Sequence, residues 1–224
     1  MKIALQILAS TLAGIAFFGA ALFLPAGTFR YWQAWVFIAV FIVCTIGPSI
    51  YLAVRSPDAL ARRMKAGPAA ETRPVQRIVI SAVVLAVIAV LVVSALDWRF
   101  GWSTVPTWAV IVGQILVAGG LLGAQWVIVQ NNYAGATITV EADQPLVSTG
   151  WYGVVRHPMY TSAAVMMVGT PLALGSLWGL PILLLTVPAL AARILDEEKA
   201  LTDELPGYRE YTNQVRYRLV PGVW

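Results

Sequence analysis

The sequence predicts an all-α, polytopic membrane protein: four long transmembrane helices, a C-terminal helical hairpin and a cytoplasmic tail. Three observations predict it. Hydrophobic residues make up 59% of the 224 and charged residues only 12%, about half the charge density of a soluble domain. Mean hydropathy is +0.75. Apolar runs close to or above the roughly 20 residues that cross a bilayer as a helix recur along the chain, with polar loops between them.

The first run, 3–24, follows Lys2. It outlasts the apolar core of a signal peptide, about 7–15 residues, and further spans follow, so it is expected to remain as an anchor. Runs 32–54, 78–96 and 108–129 come next and are almost free of charge. Their many valines and isoleucines do not make them strands, because a backbone in hydrocarbon must satisfy its own hydrogen bonds.

After Asn131 and Asn132 the texture changes. Residues 131–157 are polar and turn-rich, with Gly135, Glu141, Asp143, Pro145 and Gly150. Two shorter runs, 159–174 and 177–195, join at Gly175 and Ser176 and predict the hairpin, 159–195. The tail, 196–224, is charged and rich in tyrosine. A division into a four-helix region, 1–130, and a C-terminal region, 131–224, follows.

Basic residues set the orientation. With a cytoplasmic N-terminus and an even number of crossings, the inner segments hold Lys2, Arg55, Arg62, Arg63, Lys65, Arg73, Arg77, Arg156, Arg193, Lys199, Arg209, Arg216 and Arg218. Only Arg30 and Arg99 of the 15 Lys and Arg lie outside. Both termini are therefore expected in the cytoplasm.

Composition also excludes classes. The net charge of +4 and pI near 9.4 arise in loops, without the basic stripe and interleaved aromatics of a nucleic-acid binder. Cys44 is the one cysteine and sits in an apolar run, where it acts as a small hydrophobe. His157 is the one histidine, and zinc needs clustered Cys and His, so no metal is expected.

The hairpin carries the chemistry. Leaving the cytoplasmic surface at Pro158 and returning by Leu195, it brings Arg156, His157 and Tyr160 toward Glu197 and Glu198. Pro158 suits the first turn of a helix, whose N-terminus favours an anion. The acidic pair offers acceptors for an ammonium, a hydroxyl or a sulfonium. A zwitterionic, cationic cofactor matches that arrangement. Taken singly, each residue has a plainer role: Arg156 and His157 as interfacial anchors, and Glu197 and Glu198 as a solvated helix end paired to Arg193 and Lys199. Their convergence on one face favours the functional role.

Residues 150–160, with Arg156-His157-Pro158-Met159-Tyr160, resemble the signature of membrane isoprenylcysteine carboxyl methyltransferases and related bacterial phospholipid methyltransferases. An apolar hairpin, Glu197-Glu198, Leu201, Gly207-Tyr208 and Tyr211 follow in the family's order. The closing basic segment 216–221, with Pro221, resembles the family's end. The resemblance covers about residues 130–224. It implies an S-adenosylmethionine-dependent methyltransferase acting on a lipid-like or small hydrophobic acceptor at the cytoplasmic face. By position it implies cofactor contacts from His157, Pro158, Tyr160, Glu197, Glu198, Tyr208 and Tyr211. It makes Arg156, Glu197 and Glu198 the candidate catalytic residues, with Arg156 orienting the acceptor or the cofactor carboxylate. Acceptor access falls to residues 1–130. Trp151 stands where proline is common, and Thr161-Ser162 replaces a residue followed by glycine.

Methyl transfer from a sulfonium is an in-line displacement, so positioning supplies most of the catalysis, up to about 7–11 kcal/mol. A carboxylate acceptor needs no base; an amine would use Glu197, Glu198 or a tyrosine. Carboxyl, amine and hydroxyl acceptors all stay open. Asn131 and Asn132 either bind the acceptor or cap the fourth span. Two rivals remain. Sterol reductases that use NADPH end in an Arg-His-x-Asn-Tyr-x-Gly-Glu element, but Met159 and Ser162-Ala163 depart from it. A non-catalytic transporter or assembly factor tends to carry repeats and midplane charges, which these runs lack. Asp97, Trp98, Arg99 and Trp102 are expected to form an outer interface belt. The basic loop 55–77 attracts anionic lipid or simply sets topology.

Overall fold

A computed structural model describes residues 2–64, 66–71, 73–135, 137–141 and 144–224, with residues 2–4 as backbone. Lys65, the Lys2 side chain and Asp143, used above as topological charges and a loop residue, lie outside the described set. The regular elements among the described residues are helical: α1 (Lys2–Ala26), α2 (Trp32–Arg55), α3 (Pro57–Met64), α4 (Pro74–Phe100), α5 (Thr107–Gln130), α6 (Pro158–Ala173), α7 (Gly179–Leu184), α8 (Thr186–Glu204) and α9 (Tyr208–Gln214). Short 3-10 turns lie at Pro68–Ala70 and Gly150–Gly153.

Five segments are long and apolar enough to cross a membrane: Leu5–Ala26, Trp32–Arg55, Pro74–Phe100, Thr107–Gln130 and Gly179–Glu204. The fifth corrects the expectation of two short hairpin arms, because the returning arm is a full-length span. Helix α8 does not stop where the apolar run stops. The sequence Asp-Glu-Glu-Lys-Ala-Leu after Leu195 consists mostly of good helix formers, and it carries α8 on to Glu204. Glu197 and Glu198 thus sit inside a helix and not in the tail. Pro188, which cannot donate to the Leu184 carbonyl, accounts for the break between α7 and α8.

Polar contacts fix the helix ends at two levels. At one level, Asp97 accepts hydrogen bonds from the Ser103 N–H at 2.7 Å, the Ser103 hydroxyl at 2.6 Å and the Ser176 hydroxyl at 2.6 Å. Tyr31 donates to the Leu174 carbonyl there, and the Arg99 guanidinium reaches the Pro25 carbonyl at 3.1 Å. At the other level, Gln76 donates to Asp196 at 2.7 Å, and the Trp151 N–H meets Gln130 at 3.4 Å. Helix α6 runs between these levels; its 16 residues rise about 24 Å. Arg73, Arg156, Arg193 and Arg218 make their contacts around the second level. Asp97 is not the exposed belt residue expected: it is 0% exposed and ties the end of α4 to the hairpin turn. Trp98 is drawn in with it and stacks on Tyr31, while Trp102 stays exposed.

Helices α5 and α6 pack closest because glycines line their seam. A Cβ on Gly120 would lie 2.5 Å from the Ser162 carbonyl, and one on Gly169 would lie 2.7 Å from Leu116. A Cβ on Gly113 would strike the backbone of Ala173. Small residues let backbones approach where lipid supplies no hydrophobic drive between helices. This seam fixes the register of α6 and so the height of His157, at its N-terminus.

Candidate functional site

The site is built at the second level from four segments. Residues 155–157 come first, held by the returning tail: the Arg156 N–H donates to the Tyr217 carbonyl at 2.9 Å and the His157 N–H to the Arg218 carbonyl at 3.0 Å. Pro158 then opens α6 as its first residue, where a missing N–H is harmless. The Thr161 hydroxyl, one turn in, binds the Leu219 carbonyl at 2.9 Å. The C-terminal segment therefore braces residues 156–161 through its backbone carbonyls.

Helix α8 supplies the acids. Glu198 forms ion pairs with Arg156 at 2.7 Å and Arg218 at 2.9 Å, and His157 Nε2 lies 3.3 Å from it. Its side chain is 12% exposed. Tyr160 donates to Glu197. Residues about 40 apart in sequence thus meet as the hairpin argument requires. The two glutamates differ in what they face. Glu197 lines a cavity of about 580 Å³, together with Arg156, His157, Pro158, Tyr160, Tyr208 and Tyr211. Glu198 is not among the lining residues; it sits behind the wall and neutralises two arginines.

Helix α9 closes the polar end. Tyr208 and Tyr211 are buried at 3% exposure each. Burial and the nearby Glu198 push the Tyr208 hydroxyl well above its ordinary pKa, and burial does the same to Tyr211. Tyr211 donates to the Tyr152 carbonyl at 2.7 Å. Burial also raises Tyr152, to about 12. All three stay neutral donors at physiological pH. The Tyr208 hydroxyl has no hydrogen-bond partner among the described residues, although it lines the cavity. An orphaned buried hydroxyl beside a carboxylate suits a polar ligand that supplies the missing acceptor.

Asn131 also lines the cavity and donates to the Tyr152 hydroxyl at 3.3 Å. Asn132 does not; it is exposed, and its carbonyl accepts from Arg62 at 3.3 Å. The far end of the cavity is apolar, walled by Phe41 of α2, Ile80, Val83 and Val84 of α4, Leu121 of α5 and Met166 of α6. One space therefore joins a polar end at the membrane surface to a hydrocarbon-like end between helices.

Sequence reasoning missed the network behind Tyr160. The plainer role considered for the glutamates paired them with Arg193 along its own helix. Its guanidinium donates to Glu71 and Gln76, both at 2.9 Å, and to the Tyr160 hydroxyl at 2.9 Å. Glu71 and Gln76 are buried, and Arg73 adds an ion pair to Asp196 at 2.7 Å. One signal was available: an arginine at the end of an apolar run demands a buried acid, and Glu71 is one of two acids within 55–77.

Residues 108–208 match the family described as phospholipid methyltransferase. The chain is also 31% identical over 91 residues to the Delta(14)-sterol reductase TM7SF2 of Mus musculus, which is 39% of this chain and 22% of that protein. It thus spans less than a quarter of the length of that relative. No solved structure matches.

Proposed function

We propose that this membrane protein, whose residues 108–208 match the phospholipid methyltransferase family, transfers a methyl group from S-adenosylmethionine to a lipid acceptor at the cytoplasmic face. The observation that carries the proposal is the single cavity that joins Glu197, Tyr208 and Tyr211 to an apolar chamber between helices.

The polar end fits the cofactor chemically. Glu197 offers a carboxylate to a hydroxyl or a cation, and the orphaned Tyr208 hydroxyl offers a donor. His157, Pro158 and Tyr160 line the same end, and Glu198 holds Arg156 and His157 in place. When bound, S-adenosylmethionine supplies an electrophilic methyl group. The chain's own contribution is positioning and exclusion of water: the buried tyrosines of α9 cover the polar end, and Arg156 orients whichever anionic group reaches it. Glu197 is the group placed to take a proton from an amine acceptor.

The division of labour follows the two halves. Residues 1–130 contribute the acceptor chamber through α2 and α4, and residues 131–224 contribute the cofactor end. The clustering of cations at the level of the site argues that this face is cytoplasmic, with both termini on it.

Calorimetry on the purified protein tests the reading. S-adenosylmethionine binds in the micromolar range, and Tyr208→Phe weakens it several-fold. Protein that binds no S-adenosylmethionine but consumes NADPH with an enone sterol would favour the reductase to which it is partly similar.

A further inference from the structure

The arginines near the cavity divide into two kinds. Arg62 is held by Glu141 at 2.6 Å, Arg156 by Glu198 at 2.7 Å and Arg193 by Glu71 at 2.9 Å. Arg63 is different. It lines the same cavity, yet its one polar contact among the described residues is to the Gly135 carbonyl at 3.4 Å, and no described carboxylate pairs with it. A half-buried guanidinium with five donors and one long neutral contact is poised for an anion.

Its place in the fold says which anion. Arg63 ends α3, and α3 connects α2 to α4, whose Phe41, Ile80, Val83 and Val84 form the apolar chamber. The cation thus lines the cavity from the connection between α2 and α4, beside the Gly135 carbonyl and within electrostatic reach of Tyr160. A molecule with hydrocarbon in the apolar chamber and an anionic group at Arg63 would satisfy both features of the one cavity.

We propose that Arg63 is a specificity-determining residue that binds the phosphodiester of a phospholipid acceptor and so sets the headgroup at the height of the cofactor end. This assignment rests on the methyltransferase reading for its meaning, but its test does not depend on methyl transfer. A guanidinium matches phosphate oxygens with paired hydrogen bonds, which an ammonium cannot reproduce.

The experiment measures binding of a short-chain phosphatidylethanolamine to detergent-solubilised protein by tryptophan fluorescence. A long-chain primary amine without phosphate is the control probe. Arg63→Gln weakens the phospholipid about tenfold, Arg63→Lys weakens it less, and the amine binds all three proteins alike. Equal phospholipid affinity in wild type and Arg63→Gln overturns the assignment, as does an equal loss for both probes. S-adenosylmethionine calorimetry on the same samples separates the two readings. Wild type that binds phospholipid through Arg63 but no S-adenosylmethionine defeats the methyltransferase reading alone. Arg63→Gln that loses S-adenosylmethionine while keeping phospholipid assigns the arginine to the cofactor and defeats this one.

Discussion

Glu198 of α8 meets Arg156 at 2.7 Å, and its second oxygen holds Arg218 at 2.9 Å. One carboxylate thereby fastens the segment before α6 to the C-terminal tail, and both to the returning span. The site exists because three stretches of chain remote in sequence share this one counter-charge.

Glu198→Gln leaves two arginines, one of them buried, without their carboxylate. Breaking one partner of a buried pair costs about 3–5 kcal/mol; with Arg218 partly exposed, the lower end is expected. Thermal unfolding in detergent should drop by several degrees, and S-adenosylmethionine affinity should fall with it.

Tyr160→Phe acts more narrowly. The hydroxyl accepts from Arg193 and donates to Glu197, so its loss frees the carboxylate without opening a cavity. A hydrogen bond to a charged group contributes about 1.5–3 kcal/mol. The unfolding temperature should fall by several degrees, and the cofactor dissociation constant should rise in calorimetry as Glu197 loses its fixed position.

Gly120→Leu drives a side chain into the Ser162 carbonyl and Met166. Overpacking costs about 1–3 kcal/mol, and more where backbone blocks relaxation. Helix α6 must shift, and His157 with it. Cofactor binding should be lost together with stability, whereas Gly119→Leu, whose Cβ meets nothing within 4 Å, should leave both intact.

Comparison with Tyr152→Phe at high pH isolates Tyr152 from the other raised tyrosines. Its folded pKa of about 12 exceeds the ordinary value of 10.0, so the unfolded chain loses this proton first. The stability it contributes is complete below pH 10 and is lost as the pH rises toward 12. Between those values the unfolding temperature of wild type should fall more steeply than that of Tyr152→Phe.

Much of this was legible in the sequence because hydropathy measures the bilayer directly. The four long runs, the hairpin turn at Gly175 and the meeting of Arg156 and His157 with Glu198 follow from run length and crossing number. The extent of α8 was not legible, since an apolar run marks hydrocarbon and not the end of a helix. Nor was the burial of Asp97: its partners Ser103 and Ser176 lie 6 and 79 positions away, and a lone aspartate at a span end looks like any interfacial charge. The tertiary partners of Arg193 were hidden for a related reason. Helical spacing offered a partner on α8 itself, but tertiary contact supplied Glu71 from the α3–α4 connection.

The most direct test of the account incubates purified protein with methyl-labelled S-adenosylmethionine and total membrane lipid, then separates the lipid. Label should appear in a phospholipid with wild type and fall to background with Glu198→Gln. Wild-type protein that binds the cofactor's lipid partners yet leaves every lipid unlabelled, at any cofactor concentration, would contradict it.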